Sequence, residues 1–177
     1  RDSVEMWQTP ELFVVDKKNN PIAVAGVPPD SFSDEGQYWG NPIYDWKYMH
    51  KTNYKWWVWR IEESFRLYDV VRIDHFRGFE SYWSIPYGSA TAASGEWKIG
   101  PGNRLFKQIK KELGHVNIIA EDLGFITPEV IEMREKTGFP GMKILQNGFA
   151  IDEDSEDLPH HYHQNTIAYV GTHDNPS

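Results

Sequence analysis

The chain has 177 residues, a formal charge of −8, eight tryptophans and no cysteine. An acidic balance with no Lys/Arg block excludes an electrostatic nucleic-acid surface, and no apolar run approaches the roughly 20 residues that span a bilayer. Without cysteine there is no disulfide framework and no thiolate metal site, a composition that suits the cytoplasm.

Residues 11–27 read as a hairpin, "ELFVV" and "IAVAGV" around the turn-forming "DKKNNP". A long loop follows at 28–46, rich in Pro, Gly, Asn and Asp yet carrying aromatics; a loop of that length inside a domain usually serves function. The spacing of Trp56, Trp57, Ile61 and Phe65 predicts a helix over 48–68. Then come strand "DVVRID" (69–74), a second long loop (75–102), a helix at 103–113 ending at Gly114, and strand "VNIIAED" (116–122). The next helix has Thr127 as N-cap, Pro128 at its first position and Gly138 just past its end. Strand "MKILQ" (142–146), a mixed loop and strand "TIAYVG" (166–171) complete the order.

Strands alternating with helices from residue 48 onward argue for βα units and a parallel sheet. Their short apolar runs suit strands covered on both faces. Residues 1–47 then form an inserted hairpin and substrate-loop segment, and 48–177 the βα units. Each strand runs out in polar residues: Asp74, then Glu121 and Asp122, then Gln146, then His173 and Asp174. In a parallel α/β barrel these ends face one mouth, where the chemistry sits. An open doubly wound sheet also gathers strand ends, but it usually brings a Gly-rich phosphate turn, and none is present. The fold class expected is α/β, part of a (β/α)₈ TIM barrel. Such a barrel takes about 250 residues, so a chain starting at Arg1 and stopping after "GTHDNPS" reads as an internal, inactive piece of a longer protein.

Three acids on separate strand ends suggest glycosidic chemistry. A retaining enzyme uses one ionised carboxylate as nucleophile and a protonated one, about 5 Å away, as acid. Arg72 and Asp74, two residues apart, leave the strand on one face. The cation favours an ionised Asp74, which fits a nucleophile. Glu121 follows the apolar run Ile118-Ile119-Ala120, a dry approach that raises a carboxyl pKa. Asp174 beside His173 can hydrogen-bond sugar hydroxyls. Each feature alone also has a plain reading: a structural ion pair, a solvated strand exit, a turn.

At these residues the sequence resembles a known family. "VVRIDHFRGF", "IIAEDLG" and "GTHDN", joined by "GVPPDSFSDEGQYWGNPIYDW" and "GFPGMKILQ", are similar to the 4-α-glucanotransferases, the amylomaltases or disproportionating enzymes of the α-amylase clan. The resemblance implies a TIM barrel covered here from about its fourth to its seventh strand. It implies Asp74 as nucleophile, Glu121 as general acid/base and Asp174 as transition-state stabiliser, with Arg72, His75 and His173 as sugar and nucleophile contacts. Donor and acceptor would be maltooligosaccharides or α-1,4-glucan, with no cofactor and no metal. Three places depart from the family pattern: Ser31, where members often carry an aromatic, "LQNGFAID" with its shifted Asp152, and Pro176-Ser177 after "HDN".

Phe32, Gln37, Trp39 and Asn41 in the first long loop suit the rest of a glucan site. Aromatic faces pack on the apolar face of glucose, and the amides bind hydroxyls. A lid of this kind favours transfer over hydrolysis by excluding water. Trp39 stands out because flanking Gly40 permits close approach of a ligand; Trp56, Trp57 and Trp59 read as helix packing. Three alternatives stay open: a hydrolase of the same clan, a non-catalytic glucan-binding protein, and a metal-dependent hydrolase using His161, His163 and Asp174.

Overall fold

A computed structural model describes residues 3–30, 33–149 and 155–173. In chain order the elements are α1 (Val4–Gln8), β1 (Ala23–Val27), β2 (Gln37–Pro42), α2 (Trp46–Lys51), α3 (Lys55–Phe65), β3 (Val71–Ile73), β4 (Ser81–Pro86) and β5 (Glu96–Ile99). There follow α4 (Asn103–Leu113), β6 (Ile118–Ala120), α5 (Pro128–Thr137), β7 (Gly141–Ile144) and β8 (Thr166–Tyr169).

The expected parallel strands form. β3 pairs with β6 in parallel, Val71 against Ile118 through Ile73 against Ala120, and β7 pairs with β8, Gly141 against Thr166 through Ile144 against Tyr169. Two bonds join the pairs: the Ala120 amide donates to the Pro140 carbonyl at 2.9 Å, and the Met142 amide to Asp122 Oδ1 at 2.8 Å. Both bonds advance two residues together, so the pairs run the same way. The result is a mixed α/β fold in which β3, β6, β7 and β8 lie side by side in that order.

Helices cover one face of this array. α4 buries Leu105, Phe106 and Ile109 while its lysines stay outside, the stripe expected of an amphipathic helix. It ends at Gly114, as its sequence suggests. α5 begins with Pro128 after an extended Thr127 and ends at a left-handed Gly138, although the Thr127 hydroxyl makes no capping bond. The core beneath includes Phe76, Phe79, Phe106 and Phe139, with Phe76–Phe106 and Phe79–Phe106 ring centroids 5.1 Å apart. Coverage on both faces is uneven: Gly141, Met142 and Ile144 of β7 and Ile118 and Ala120 of β6 are buried, while β3 is half-buried throughout and β8 is partly exposed.

Three expectations need correction. The hairpin at 11–27 is shorter than expected. Its Val15–Pro21 bridge is flanked by bonds from the Asp16 amide to the Asn20 carbonyl at 2.8 Å and from the Ile22 amide to the Val14 carbonyl at 3.1 Å, and Asp16 Oδ1 accepts from the Lys18 and Asn20 amides within the turn. The two long loops contain strands: β2, β1, β4 and β5 form an antiparallel sheet in that order. Its members come from both sides of residue 48. The helix over 48–68 is two helices, broken where Asn53 and Tyr54 take left-handed backbone (φ 53° and 54°). There the Thr52 hydroxyl donates to the Tyr48 and Met49 carbonyls and the Tyr54 amide to Met49, closing α2. No helix among the described residues is long and apolar enough to cross a membrane.

Candidate active site

Because Ile73 and Ala120 are paired, the residues that follow them, Asp74 and Glu121, leave adjacent strands at the same level. Beyond that point the two chains stay tied: Glu121 N donates to the Ile73 carbonyl and Phe76 N to the Glu121 carbonyl, both at 2.9 Å. Asp74 is exposed, and Arg72 Nε lies 2.8 Å from its Oδ1, forming the ion pair expected from their shared strand face. Glu121 is half-buried and held at both oxygens: the His75 amide donates to Oε2 at 2.6 Å and the Leu123 amide to Oε1 at 2.8 Å. Burial pushes its pKa up, the amide bonds pull the other way, and the nearby charges of Asp74 and Asp122 push up again; the net direction is upward.

Its neighbour Asp122 points elsewhere, as alternation along a strand requires. Its side chain pairs with Arg134 of α5 at 2.9 Å, both nearly buried, and accepts from the Met142 amide. A Cβ at Gly141 would meet Asp122 Oδ2 at 2.6 Å, so the clamp needs glycine there. Asp122 therefore binds β6, α5 and β7 together.

His75 takes left-handed backbone (φ 50°) and starts a tight 3₁₀ turn, Phe76–Phe79. Burial lowers its pKa to about 4, with the Arg77 charge adding to the effect, so the ring is neutral near pH 7. Trp39 of β2 meets it edge-on, ring centroids 4.8 Å apart. The β1–β2 register shifts between Val24 and Gly26, and Gly40 (φ 77°) lies in the corresponding stretch of β2. Trp39 Nε1 donates to Gln37 Oε1 at 3.0 Å. Trp39, Asn41, Asp74 and His75 line one cavity of about 490 Å³, whose remaining wall includes Tyr44, Trp46, Trp56 and Tyr82.

The structure thus joins Arg72, Asp74, His75, Glu121, Gln37, Trp39 and Asn41 through direct contacts or that shared cavity. His173 is exposed, in the segment after β8. Asp174 and Phe32, like Ser31 and Asp152, lie outside the described residues. Trp57 is buried as expected, Trp59 is half exposed, and Trp56 both packs and lines the cavity. His161 Nδ1 lies 2.8 Å from the Ser155 carbonyl, and among the described residues no three His, Asp or Glu side chains gather as a metal site. Sequence reasoning missed Tyr82 and Arg77. An arginine between phenylalanines in "HFRGF" was the available signal for the second.

Comparison with known proteins fits this arrangement. A 62% identical protein from Streptococcus pneumoniae (TIGR4) is described as 4-alpha-glucanotransferase; the alignment covers 98% of this chain and 34% of that protein. A relative from Clostridium butyricum with the same description is 54% identical over 99% of this chain and 36% of its own length. Amylomaltase from Streptococcus agalactiae, solved in complex with acarbose, superposes with a TM-score of 0.95 at 51% identity, over 98% of this chain and 35% of that one. The chain therefore spans about a third of the length of these relatives. The profile of the family described as 4-alpha-glucanotransferase matches residues 1–177, and the chain belongs to that family.

Proposed function

We propose that the protein containing this chain is a retaining 4-α-glucanotransferase that moves α-1,4-glucan segments between maltooligosaccharides. The observation that carries the reading is the pair Asp74 and Glu121, level on neighbouring strands, one exposed beside Arg72 and the other half-buried with a raised pKa. Two carboxyl groups in such unlike settings suit nucleophile and acid. The acarbose complex of the Streptococcus agalactiae relative supports a glucan-like ligand.

In this mechanism Asp74 attacks the anomeric carbon while Glu121 gives its proton to the departing glycosidic oxygen. Glu121, now a base, takes the proton of the 4-hydroxyl of the acceptor sugar as that oxygen displaces Asp74. Arg72 orients Asp74, and the neutral ring of His75 contacts the sugar without adding charge. Trp39 stacks on a glucose face, with Gln37 and Asn41 binding hydroxyls. Phe32, His173 and Asp174 complete the set, Asp174 bonding hydroxyls as positive charge develops on the ring. The chemistry calls on no cofactor.

The strands β3, β6, β7 and β8 fit the fourth to seventh strands of a TIM barrel, with 1–47 as inserted segment and 48–177 as βα units. A cysteine-free chain of this kind suits the cytoplasm.

The test is incubation of the full-length protein with maltotriose alone, with products resolved by chain length. Glucose together with maltopentaose and longer chains is expected, and Asp74→Asn should abolish them. Glucose and maltose with nothing longer would make water the acceptor and the protein a hydrolase.

A further inference from the structure

Arg77 is the least expected charge in the molecule. Its residue is 6% exposed, and among the described residues no carboxylate bonds directly to its guanidinium. One Nη donates to the Phe125 carbonyl at 2.8 Å and the other to the Ser81 hydroxyl at 3.1 Å; the Ser81 hydroxyl in turn donates to Glu80. The guanidinium lies over the Trp97 ring, 4.2 Å from its centroid, and 5.7 Å from that of Phe125. The buried Nε has no hydrogen-bond partner among the described residues. Holding a cation this way is costly, and such costs collect where geometry matters more than stability.

Its bonds point to the geometry concerned. Glu121 is held by two amides, one from His75 and one from Leu123. Arg77 sits in the turn that begins at His75 and bonds to Phe125, two residues beyond Leu123. The same side chain therefore fastens both segments that grip the Glu121 carboxyl. A lysine, with one point of charge on a flexible stem, cannot bond Phe125 and Ser81 in fixed directions as the planar fork does.

We propose that Arg77 is a positioning residue for the general acid/base, fixing the His75 and Leu123 amides that orient the Glu121 carboxyl. The proposal rests on the acid/base role assigned to Glu121 above.

The test uses the full-length protein and two donors. Maltotriose needs Glu121, because its leaving oxygen must be protonated. α-Maltosyl fluoride with azide does not: the C1–F bond breaks to release fluoride as C1 bonds to the Asp74 carboxylate, and azide then forms a C1–N bond and frees Asp74, with no proton transferred. Arg77→Lys and Arg77→Met should lower turnover of maltotriose about 100-fold, the scale set by a misplacement near 1 Å. Azide turnover of the fluoride should change less than about threefold, since its two steps omit the acid and base. The alkaline limb of the maltotriose profile should also move to higher pH, because a carboxyl that loses amide bonds holds its proton longer. Asp74 and Asp122, which raise the Glu121 pKa, are untouched by either substitution.

Equal losses with both donors, or no loss with either, would overturn the positioning role. Arg77→Lys keeps the buried charge, so it supplies the answer if Arg77→Met fails to fold. Glu121→Ala, measured alongside, should show the same split more strongly. If Glu121→Ala slows both donors alike, the acid/base assignment itself fails and the inference falls with it; if only the Arg77 variants do so, the assignment stands and the inference alone is lost.

Discussion

The parallel strands and the antiparallel sheet solve different problems. β3 and β6 are three residues long, yet they lie beside a deep aromatic core and fix Asp74 and Glu121 through backbone register. The antiparallel sheet rests on a small core, Val24, Ile85 and Ala92 with Trp83 against it, and its strand β2 is largely exposed. That strand presents Trp39 and Asn41 to the cavity shared with Asp74. Groups that would make and break bonds are thus set where the core is thick, and groups that would touch a sugar are set where it is thin. A thin support has few buried contacts to lose and opens locally at less cost, which suits the sugar-contacting role proposed for this surface.

Breaking the thick side should cost most. Asp122→Ala leaves Arg134 buried without its anion and removes the acceptor of the Met142 amide, so a loss of about 4 kcal/mol is expected in urea unfolding. A loss under about 1 kcal/mol would mean that the clamp does not hold β6 to β7. Next is the thin side's own core. Ile85→Ala should cost about 3 kcal/mol, with faster hydrogen exchange confined to β1, β2 and β4 and unchanged protection in β3 and β6. Uniform acceleration through both regions would erase the distinction drawn between them.

Trp39→Ala separates recognition from chemistry. KM for maltotriose should rise about tenfold with kcat within about threefold, the pattern of lost uniform binding, while the urea midpoint stays nearly constant because Trp39 is 39% exposed. A fall in kcat with KM unchanged would move Trp39 to the chemical step. The smallest effect concerns the contact between the two regions. The His75 pKa is lowered from 6.5 to about 4 by burial, so on acidification the unfolded chain takes up this proton first. Stability from this group is present above pH 6.5 and is lost as pH falls toward 4. Between pH 7 and 5 the loss should be about 1 kcal/mol larger in the native protein than in His75→Asn, after allowance for partial exposure. Asparagine tolerates the left-handed backbone there. NMR titration of His75 near 6.5 would remove the basis for the difference.

The thick side was more legible in the sequence than the thin side, where of the four strands "IAVAGV" alone was read, for physical reasons. "NIIA" and "NRLFKQIKKEL" state their period plainly because one face or stripe of each is buried, and "VVRI" is legible as a β-branched run although β3 is half-buried throughout. "QYWGNP" and "EWKI" have no such face: β2 is mostly exposed and β5 entirely so. Each is an edge strand held only by its sequence neighbour, β2 by β1 and β5 by β4, and the Gly and Pro in β2 look like loop chemistry. The break in the helix at Asn53-Tyr54 carries neither Gly nor Pro, and only the tertiary burial of Tyr54 reveals it. Asp74 and Glu121 could be read as a pair because each ends a recognisable strand. That Glu121 bonds the His75 and Leu123 amides while Asp122 pairs with Arg134, and that Arg77 bonds Phe125 and Ser81, depends on side-chain directions the sequence does not state.

The register of β3 against β6 has a stereochemical consequence. Hydrogen-bonded strands stand about 4.7–4.9 Å apart, and residues level on two of them inherit that separation at the backbone. Carboxyl groups of retaining glycosidases are about 5–5.5 Å apart, while inverting ones need at least about 6.5 Å to seat a water between them. With Asp74 and Glu121 on adjacent strands at one level, the spacing of the sheet itself leaves little room for that water. Where the Asp74 and Glu121 carboxyls keep the spacing of their strands, the proposed reaction leaves the anomeric configuration of the product unchanged.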